Sequence, residues 1–425
     1  VLRNPKAILA LLTALNLLNY LDRFVLSAVL APMREELHLS GFVAGWLPTF
    51  FLLGYFTTSP IFGHIGDRGG KGARGALLAL GIAVWSLATM GSGLARGALA
   101  LCATRALVGV GEASYQTLAP TLIDDVAPPE HRGKWLAIFS AATPLGSALG
   151  YIVGGQVLAS HGWRAAFFVA GAPGLFAALL CLFIAEPTRL VRATHGTWRG
   201  SLSDLARVPT YRGTVLGYCA YSFAIVGFAY WAPTYLHSRY GLPFGRASLQ
   251  FGLLGLAGGA VGSLLGGPLA DRVVRWRRSR AEKGVTQSPG DDDQLVARAN
   301  LLVTALACLV GGPLAAAAIA APTAGLFFAL GFPCLAALFV MSGPINVAIL
   351  KSAPQNARGN AMGVAIFAIH GLGDLWSPPL IGWMSDRVPM RLALQAVPLV
   401  FLAGAAVWWR TASASKRLTA TARVR

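Results

Sequence analysis

The sequence predicts an all-α membrane protein of twelve transmembrane helices in two pseudo-symmetric six-helix bundles. Three observations carry this reading. First, 55% of the 425 residues are apolar and only 12% are charged, about half the charged share of a soluble domain. Second, the apolar residues gather into twelve runs, each close to the ~20 residues one helix needs to cross a bilayer. Third, two motifs of the first half return in the second, in the same order. The composition excludes a disordered chain. It also argues against a soluble two-domain enzyme, whose surface would need more charge. Gly is abundant, with 50 residues, as is usual in membrane helices.

In chain order the runs cover residues 7–32, 41–62, 75–93, 98–123, 135–159, 163–185, 213–236, 248–270, 299–320, 323–350, 360–383 and 392–409. Lipid leaves an unpaired backbone group without a partner, so each run must be a helix or part of a closed barrel. Barrel strands would be ~9–11 residues of alternating polarity, and these runs are longer and continuous. The first is too long, and too charged in its middle, for a cleavable signal peptide. The 35 Lys and Arg outnumber the 17 Asp and Glu. In a soluble protein that balance would suggest nucleic acid. Here the basic residues lie between apolar runs, so the expected partner is an anionic bilayer surface and not nucleic acid. Twenty-six of them fall before the first run, in alternate loops and in the tail, against seven in the opposite loops. That bias places both termini in the cytoplasm. The five Cys (Cys102, Cys181, Cys219, Cys308, Cys334) sit singly in apolar runs and fit neither a zinc spacing nor a disulfide framework.

The longest polar connection in mid-chain, 186–212, begins at Glu186-Pro187 and carries five Arg. It divides an N-terminal bundle (1–187) and a linker (188–212, cytoplasmic) from a C-terminal bundle (213–410) and a basic cytoplasmic tail (411–425). The connection 271–298 is also long, and its Ser288-Pro289-Gly290-Asp291-Asp292-Asp293 stretch reads as a flexible turn. Gly63-His64-Ile65-Gly66-Asp67-Arg68 after the second run is echoed by Gly267-Pro268-Leu269-Ala270-Asp271-Arg272 after the eighth. Pro129-Glu130-His131-Arg132-Gly133 before the fifth is echoed by Gln355-Asn356-Ala357-Arg358-Gly359 before the eleventh. Parallel halves of this kind imply a transporter whose site lies between them near the midplane.

An ionisable residue at the bilayer centre costs roughly 2.5–3.5 kcal/mol on insertion scales, so it calls for a reason. Asp22, Arg23, Arg105 and Glu112 lie well inside runs of the first half. Asn16, Asn19, Tyr20 and Arg23 recur at helical spacing as one polar stripe, with Asp22 at its edge. Arg105, Gly109, Glu112 and Gln116 form a second stripe. If the two stripes face each other, the natural pairings are Arg23 with Glu112, and Asp22 with a neighbouring donor. The residues could be structural ion pairs or a proton and substrate relay. Burial disfavours a charged carboxylate and a nearby Arg favours it, a balance that a change of conformation can tip. A guanidinium such as Arg23 matches phosphate oxygens in a bidentate fork. Gly146, Gly150 and Gly154, at steps of four, allow close helix approach.

In the second half, Tyr218, Tyr221, Phe228, Trp231 and Tyr235 recur at roughly helical spacing, and Phe367 adds bulk in the eleventh run. They are either ordinary packing or a pocket for the tail of an amphiphile, for which Tyr221, Phe228, Trp231 and Phe367 are the candidates. His370 and Asp374 share a helix face and could form a hydrogen-bonded pair or a second relay point. Asn346, after Gly343-Pro344, is placed to satisfy a broken backbone.

The 6+6 layout with Gly-x-x-Gly-Asp-Arg after the second run resembles the major facilitator superfamily. Asn19-Tyr20-Leu21-Asp22-Arg23-Phe24, the stretch from Arg105 through Gly109, Gly111 and Glu112 to Tyr115, and Pro144-Leu145-Gly146 through Tyr151 resemble more narrowly the spinster-type transporters. So do Trp231-Ala232-Pro233, His370 to Asp374 and Ser377-Pro378-Pro379 to Gly382. The connection 271–298 and the tail do not match, and Gly69-Gly70-Lys71 has one basic residue where the superfamily often has two. The resemblance implies that the first and fourth helices line a central cavity. It implies Asp22 and Glu112 as proton-coupling residues and Arg23, Asn19, Glu112 and Arg105 as a headgroup site. It also implies a cytoplasmic gate of Gly66, Asp67, Arg68, Arg132, Asp271 and Arg358, in which the motif carboxylate sits against a helix end and a loop Arg. The eleventh helix, beginning beside Arg358, is the expected partner of Asp67.

No P-loop is present, so direct use of ATP is not expected. No cofactor, metal site or enzymatic reaction is expected either. The expected function is secondary active transport by alternating access, coupled to protons, of an anionic amphiphile such as a lysophospholipid or a sphingosine-phosphate-like lipid. The alternatives are a transporter of drugs or small organic anions, and a transport-dead receptor or scaffold. A scaffold has no need to keep buried charge. The expected form is a monomer in a bacterial inner membrane.

Overall fold

A computed structural model describes residues 3–68, 72–185, 198–281, 289–354 and 357–421. The helices are α1 (Pro5–Glu36), α2 (Gly41–Arg68), α3 (Ala73–Gly93), α4 (Ala98–Val126), α5 (Arg132–Cys181), α6 (Trp198–Arg207), α7 (Pro209–Tyr240), α8 (Phe244–Ala281), α9 (Pro289–Ala320), α10 (Ala324–Phe339), α11 (Pro344–Ser352), α12 (Arg358–Ile369), α13 (Ser377–Ser385), α14 (Met390–Leu394) and α15 (Ala396–Thr421). Among the described residues, nine helical stretches are long and apolar enough to cross a bilayer. α5 carries two of the expected crossings, because Gly162 at φ 81° and ψ 171° breaks it in the middle; a side chain there would be strained. Adding α2 and α4, 28 and 29 residues long, completes the twelve crossings, since a rise of ~1.5 Å per residue makes each ~42 Å long. Leu80, Leu87, Leu99, Phe176, Leu179 and Leu264 are exposed, an outward apolar face suited to lipid.

Local chemistry sets the helix starts. The Asn4 side chain caps α1 by accepting from the Lys6 N–H at 3.0 Å, with Pro5 following at the first helical position, where a missing N–H costs nothing. α9 begins ten residues earlier than its apolar run. The stretch from Pro289 to Asp293, read from sequence as a flexible turn, is its first turn. Proline suits that position, and Asp291 and Asp292 meet the positive end of the helix dipole. The linker reading falls partly outside the described residues, which omit 186–197; its remainder contains α6. The 282–288 part of the other long connection also lies outside.

The residues fall into two compact units. The first comprises Val1–Ala193, Ala229–Leu253 and Pro378–Met390, the second Thr194–Phe228, Leu254–Ser377 and Arg391–Arg425. The motif repeat divides the chain near its middle, whereas packing adds one end of α7, one end of α8 and α13 from Pro378 onward to the first unit. In that unit α1 runs along α5, α2 along α4, and α3 against both α4 and α5. Its core holds Leu12, Leu15, Leu78, Ile82, Val108, Tyr115 and Leu122, and the Tyr115 hydroxyl donates to the Leu12 carbonyl. Lipid tails are as apolar as the side chains, so close van der Waals fit must hold such helices together. A Cβ on Gly150 would lie 2.5 Å from the Leu21 carbonyl oxygen, and one on Gly111 2.5 Å from the Gly81 oxygen. These glycines bring α1 against α5 and α3 against α4. In the second unit α9 packs against α10, α11 and α15.

Candidate functional site

Asp22 and Arg23 lie near the middle of the 32-residue α1. Neighbouring residues on a helix point ~100° apart, so the two reach different partners. Arg23 turns to α4, where its Nε lies 2.6 Å from Glu112 Oε2. Its guanidinium carbon stands 4.8 Å from the Phe51 ring centre and 4.9 Å from that of Tyr20, within cation–π range. Asp22 turns to α3 and the earlier part of α4. It accepts from the Thr89 hydroxyl, and its Oδ1 lies 4.0 Å from Arg105 Nη2. Arg105 also donates to Ser92 Oγ at 3.1 Å. Gln116 Nε2 joins Asn16 and Asn19 by bonds of 3.2 and 2.9 Å, and Asn16 Nδ2 reaches the Phe139 carbonyl at 2.9 Å. Two basic and two acidic side chains thus gather in one cluster inside the first unit.

The cluster is asymmetric in exposure. The side chains of Glu112, Asp22 and Arg105 are 0–3% exposed, against 23% for Arg23. Arg23 is therefore the charged member a ligand can touch. Its Nη2 is buried with no hydrogen-bond partner among the described residues, a donor left over after the Glu112 bond is made. The structure brings together Asn19, Asp22, Arg23, Arg105 and Glu112. Arg105 sits on Asp22, too deep to meet a headgroup directly. Thr89 and Ser92 were missed from sequence.

The other candidates separate. In the second unit Tyr221 is buried, its hydroxyl on the Leu338 carbonyl at 3.3 Å and its ring against Phe401 at 5.6 Å. Trp231, in the first unit, is fully buried and donates to the Pro378 carbonyl at 3.0 Å. Both serve helix packing. Phe228 stacks on Phe327 at 6.5 Å and lines, with Ile225, Leu254 and Leu338, a cavity of ≈ 20 Å³, room for about one water and not for an alkyl chain. Phe367 is exposed. His370 Nδ1 lies 2.5 Å from Asp374 Oδ2, and Ser222 donates to the other carboxylate oxygen. The pair sits in a π-helical stretch, His370–Asp374, of the kind frequent at functional sites. Asn346 Nδ2 bonds the Ser342 carbonyl at 3.0 Å beside the break between α10 and α11.

Of the gate residues, Gly66 is buried where a Cβ would strike the end of the Leu118 side chain. The side chains of Asp67 and Arg68 lie outside the described residues. Arg132 pairs with Asp124 at 3.7 Å, both half exposed, and the buried Arg74 pairs with Asp125 at 2.6 Å. In the second unit Asp271 is exposed. Arg358 pairs with Asp293 of α9, which also holds Lys351 at 2.6 Å. Nothing in the sequence singled out Arg74, Asp124 or Asp125.

The described residues contain no group of His, Cys, Asp and Glu able to hold a metal ion. The Major Facilitator Superfamily pattern matches residues 12–378. Protein spinster homolog 1 of Homo sapiens is 34% identical over 406 residues, 90% of this chain and 73% of that protein. Protein spinster of Drosophila melanogaster is 30% identical over 393 residues, 89% of this chain and 61% of that protein. In fold, the crystal structure of a bacterial homolog to human lysosomal transporter spinster, inward-facing and unoccupied, superposes with a TM-score of 0.82 at 20% identity over 96% of this chain and 97% of that one. A D-xylose-proton symporter gives 0.68 at 18% identity over 95% of this chain and 97% of that one. The twelve-crossing helical architecture and the agreement over most of the chain place this protein in the major facilitator superfamily, among the spinster transporters.

Proposed function

We propose that this transporter moves an anionic amphiphile, such as a lysophospholipid or a sphingosine-phosphate-like lipid, and that protons drive it. Arg23 binds the anionic headgroup. Asp22 and Glu112 exchange protons with the cycle, and Arg105 holds Asp22. The loop charge bias supports both termini in the cytoplasm; the proposal takes the membrane as a bacterial inner membrane and the protein as a monomer. The observation that carries the reading is the partly exposed Arg23 tied to a fully buried Glu112 at 2.6 Å. An arriving phosphate or carboxylate competes with Glu112 for one guanidinium. A carboxylate that loses its cation in a buried place takes up a proton. Substrate binding and protonation are thereby linked, and the linkage is reciprocal. In this family setting, Asp67, Arg68, Arg132, Asp271 and Arg358 would hold the cytoplasmic side shut, and His370 with Asp374 would offer a second proton site.

A competition assay tests the headgroup assignment. Lysophosphatidic acid should bind the purified protein, while a neutral monoacylglycerol of equal chain length should not. Arg23→Lys should lose that preference, because an ammonium cannot reproduce the bidentate fork. Equal binding of the two lipids would reject the assignment. The placing of Tyr221 and Trp231 in helix packing favours a second reading, a small organic anion without a tail. A short alkyl phosphate that binds as well as the lipid would select it.

A further inference from the structure

The cap of α2 is supplied by another helix. A helix begins with N–H groups that have no intrahelical partner. In α2 the Val43 N–H bonds Ser40 Oγ at 3.2 Å and the Ala44 N–H the Ser40 carbonyl at 3.0 Å. The Gly41 and Phe42 N–H groups instead bond the two carboxylate oxygens of Asp386, at 2.6 and 2.9 Å. Asp386 follows α13, 345 residues along the chain. Arg34 of α1 adds a cation 3.6 Å from the same carboxylate, and its guanidinium lies 5.4 Å from the Trp231 ring.

The backbones here are pressed together. A Cβ on Gly41 would stand 2.5 Å from the Gly382 oxygen, and one on Gly45 2.5 Å from Pro379 Cα. The Tyr230 hydroxyl bonds the Ala44 carbonyl at 2.7 Å. These contacts gather α13 and the end of α7 into the first unit, on the side where α1 ends at Glu36. In the alternating-access reading these helices part in the opposite state, so such contacts would belong to one state only. A contact made in one state and lost in the other is what biases a conformational equilibrium.

We propose that Asp386 is the latch of this side, a gating residue that stabilises the closed state by capping α2 across the helix gap. The carboxylate meets the positive end of the α2 dipole, with the Arg34 guanidinium beside it. When α13 withdraws, the two N–H groups pass to water and the cap is gone. Ser40 caps the same helix from within its own chain segment, so it stabilises open and closed states alike. The proposal rests on the alternating-access reading of the chain.

The experiment is a spin-label distance measurement on the full-length protein between cysteines at the exposed positions Glu35 and Val388, with Cys102→Ser to remove the least buried native thiol. The native latch should give mainly the short distance. Asp386→Asn and Asp386→Ala should raise the ratio of long to short distances about five-fold, the change that loss of one typical cap produces. Arg34→Gln should move it less, and Ser40→Ala should leave it at the wild-type value. Two outcomes overturn the latch: Asp386 variants that elute as wild type and keep its distance distribution, or a Ser40→Ala shift equal to theirs, which would mark a mere helix-stability effect. The distances report conformation whether or not substrate moves, so failure of the substrate and proton reading would leave this result standing.

Discussion

Glu112→Gln should tighten the binding of an anionic ligand and flatten its pH dependence. In the resting cluster the ligand must displace a carboxylate that holds Arg23 Nε at 2.6 Å from a fully buried position. A hydrogen bond to a charged group contributes about 1.5–3 kcal/mol and a neutral one about 0.5–1.5 kcal/mol. Arg23 is 23% exposed, so solvent screens the pair and the lower end applies. Glutamine keeps the shape and one acceptor, leaving a difference of roughly 1 kcal/mol, or about five-fold in affinity. The sign with pH follows from the same competition. Protonating Glu112 removes the competing charge, so the native protein binds more tightly as pH falls. One linked proton changes affinity by at most about tenfold per pH unit. The variant, with no charge to lose, binds tightly throughout. Equilibrium binding of lysophosphatidylglycerol, whose phosphodiester keeps one charge throughout, between about pH 5.5 and about pH 8 reads both effects. A variant that binds more weakly than the native protein at the alkaline end, or that keeps the native slope, would refute the competition.

Three further outcomes follow from the geometry. Arg105→Ala removes the cation 4.0 Å from Asp22 and the donor to Ser92, and should destabilise the protein by about 1–3 kcal/mol. The double variant with Asp22→Asn should recover much of that loss in thermal unfolding, and a loss left unrecovered would dismiss the pairing. Gly150→Val places its Cβ 2.5 Å from the Leu21 carbonyl; it should separate α1 from α5 and lower the melting temperature more than the open-space change Gly371→Ala does. Asp293→Asn weakens the hold on Lys351 and Arg358, and Lys351 labelling by an amine-reactive probe should quicken. An unchanged rate would show that the bridge does not restrain that lysine.

The parts of the site written in charge were legible. Asp22, Arg23, Arg105 and Glu112 stand out because a charge inside an apolar run is costly, and opposite charge on two helices that the family resemblance sets around one cavity suggested Arg23 with Glu112. Thr89 and Ser92 gave no such signal, since hydroxyls occur throughout membrane helices at little cost. The aromatic series on α7 was ambiguous for a related reason. A ring that packs in a core and a ring that lines a pocket recur at the same helical spacing, and the burial of Tyr221 and Trp231 separates them only once partners such as Phe401 and Pro378 are placed. The acidic stretch at Asp291 to Asp293 read as a turn because Pro-Gly precedes it, yet proline followed by acids is equally a helix start. The assignment of α13 to the first unit was not legible either. It rests on contacts such as Asp386 with the Gly41 N–H, 345 residues apart in the chain, which no local pattern signals.

The most direct test of the central claim is uptake of labelled lysophospholipid into proteoliposomes with and without an imposed pH gradient. Native protein should accumulate the lipid faster with the gradient. Glu112→Gln should keep some exchange across the membrane but lose the response to the gradient. Uptake that is identical with and without the gradient in the native protein, or a full gradient response in Glu112→Gln, would contradict the account.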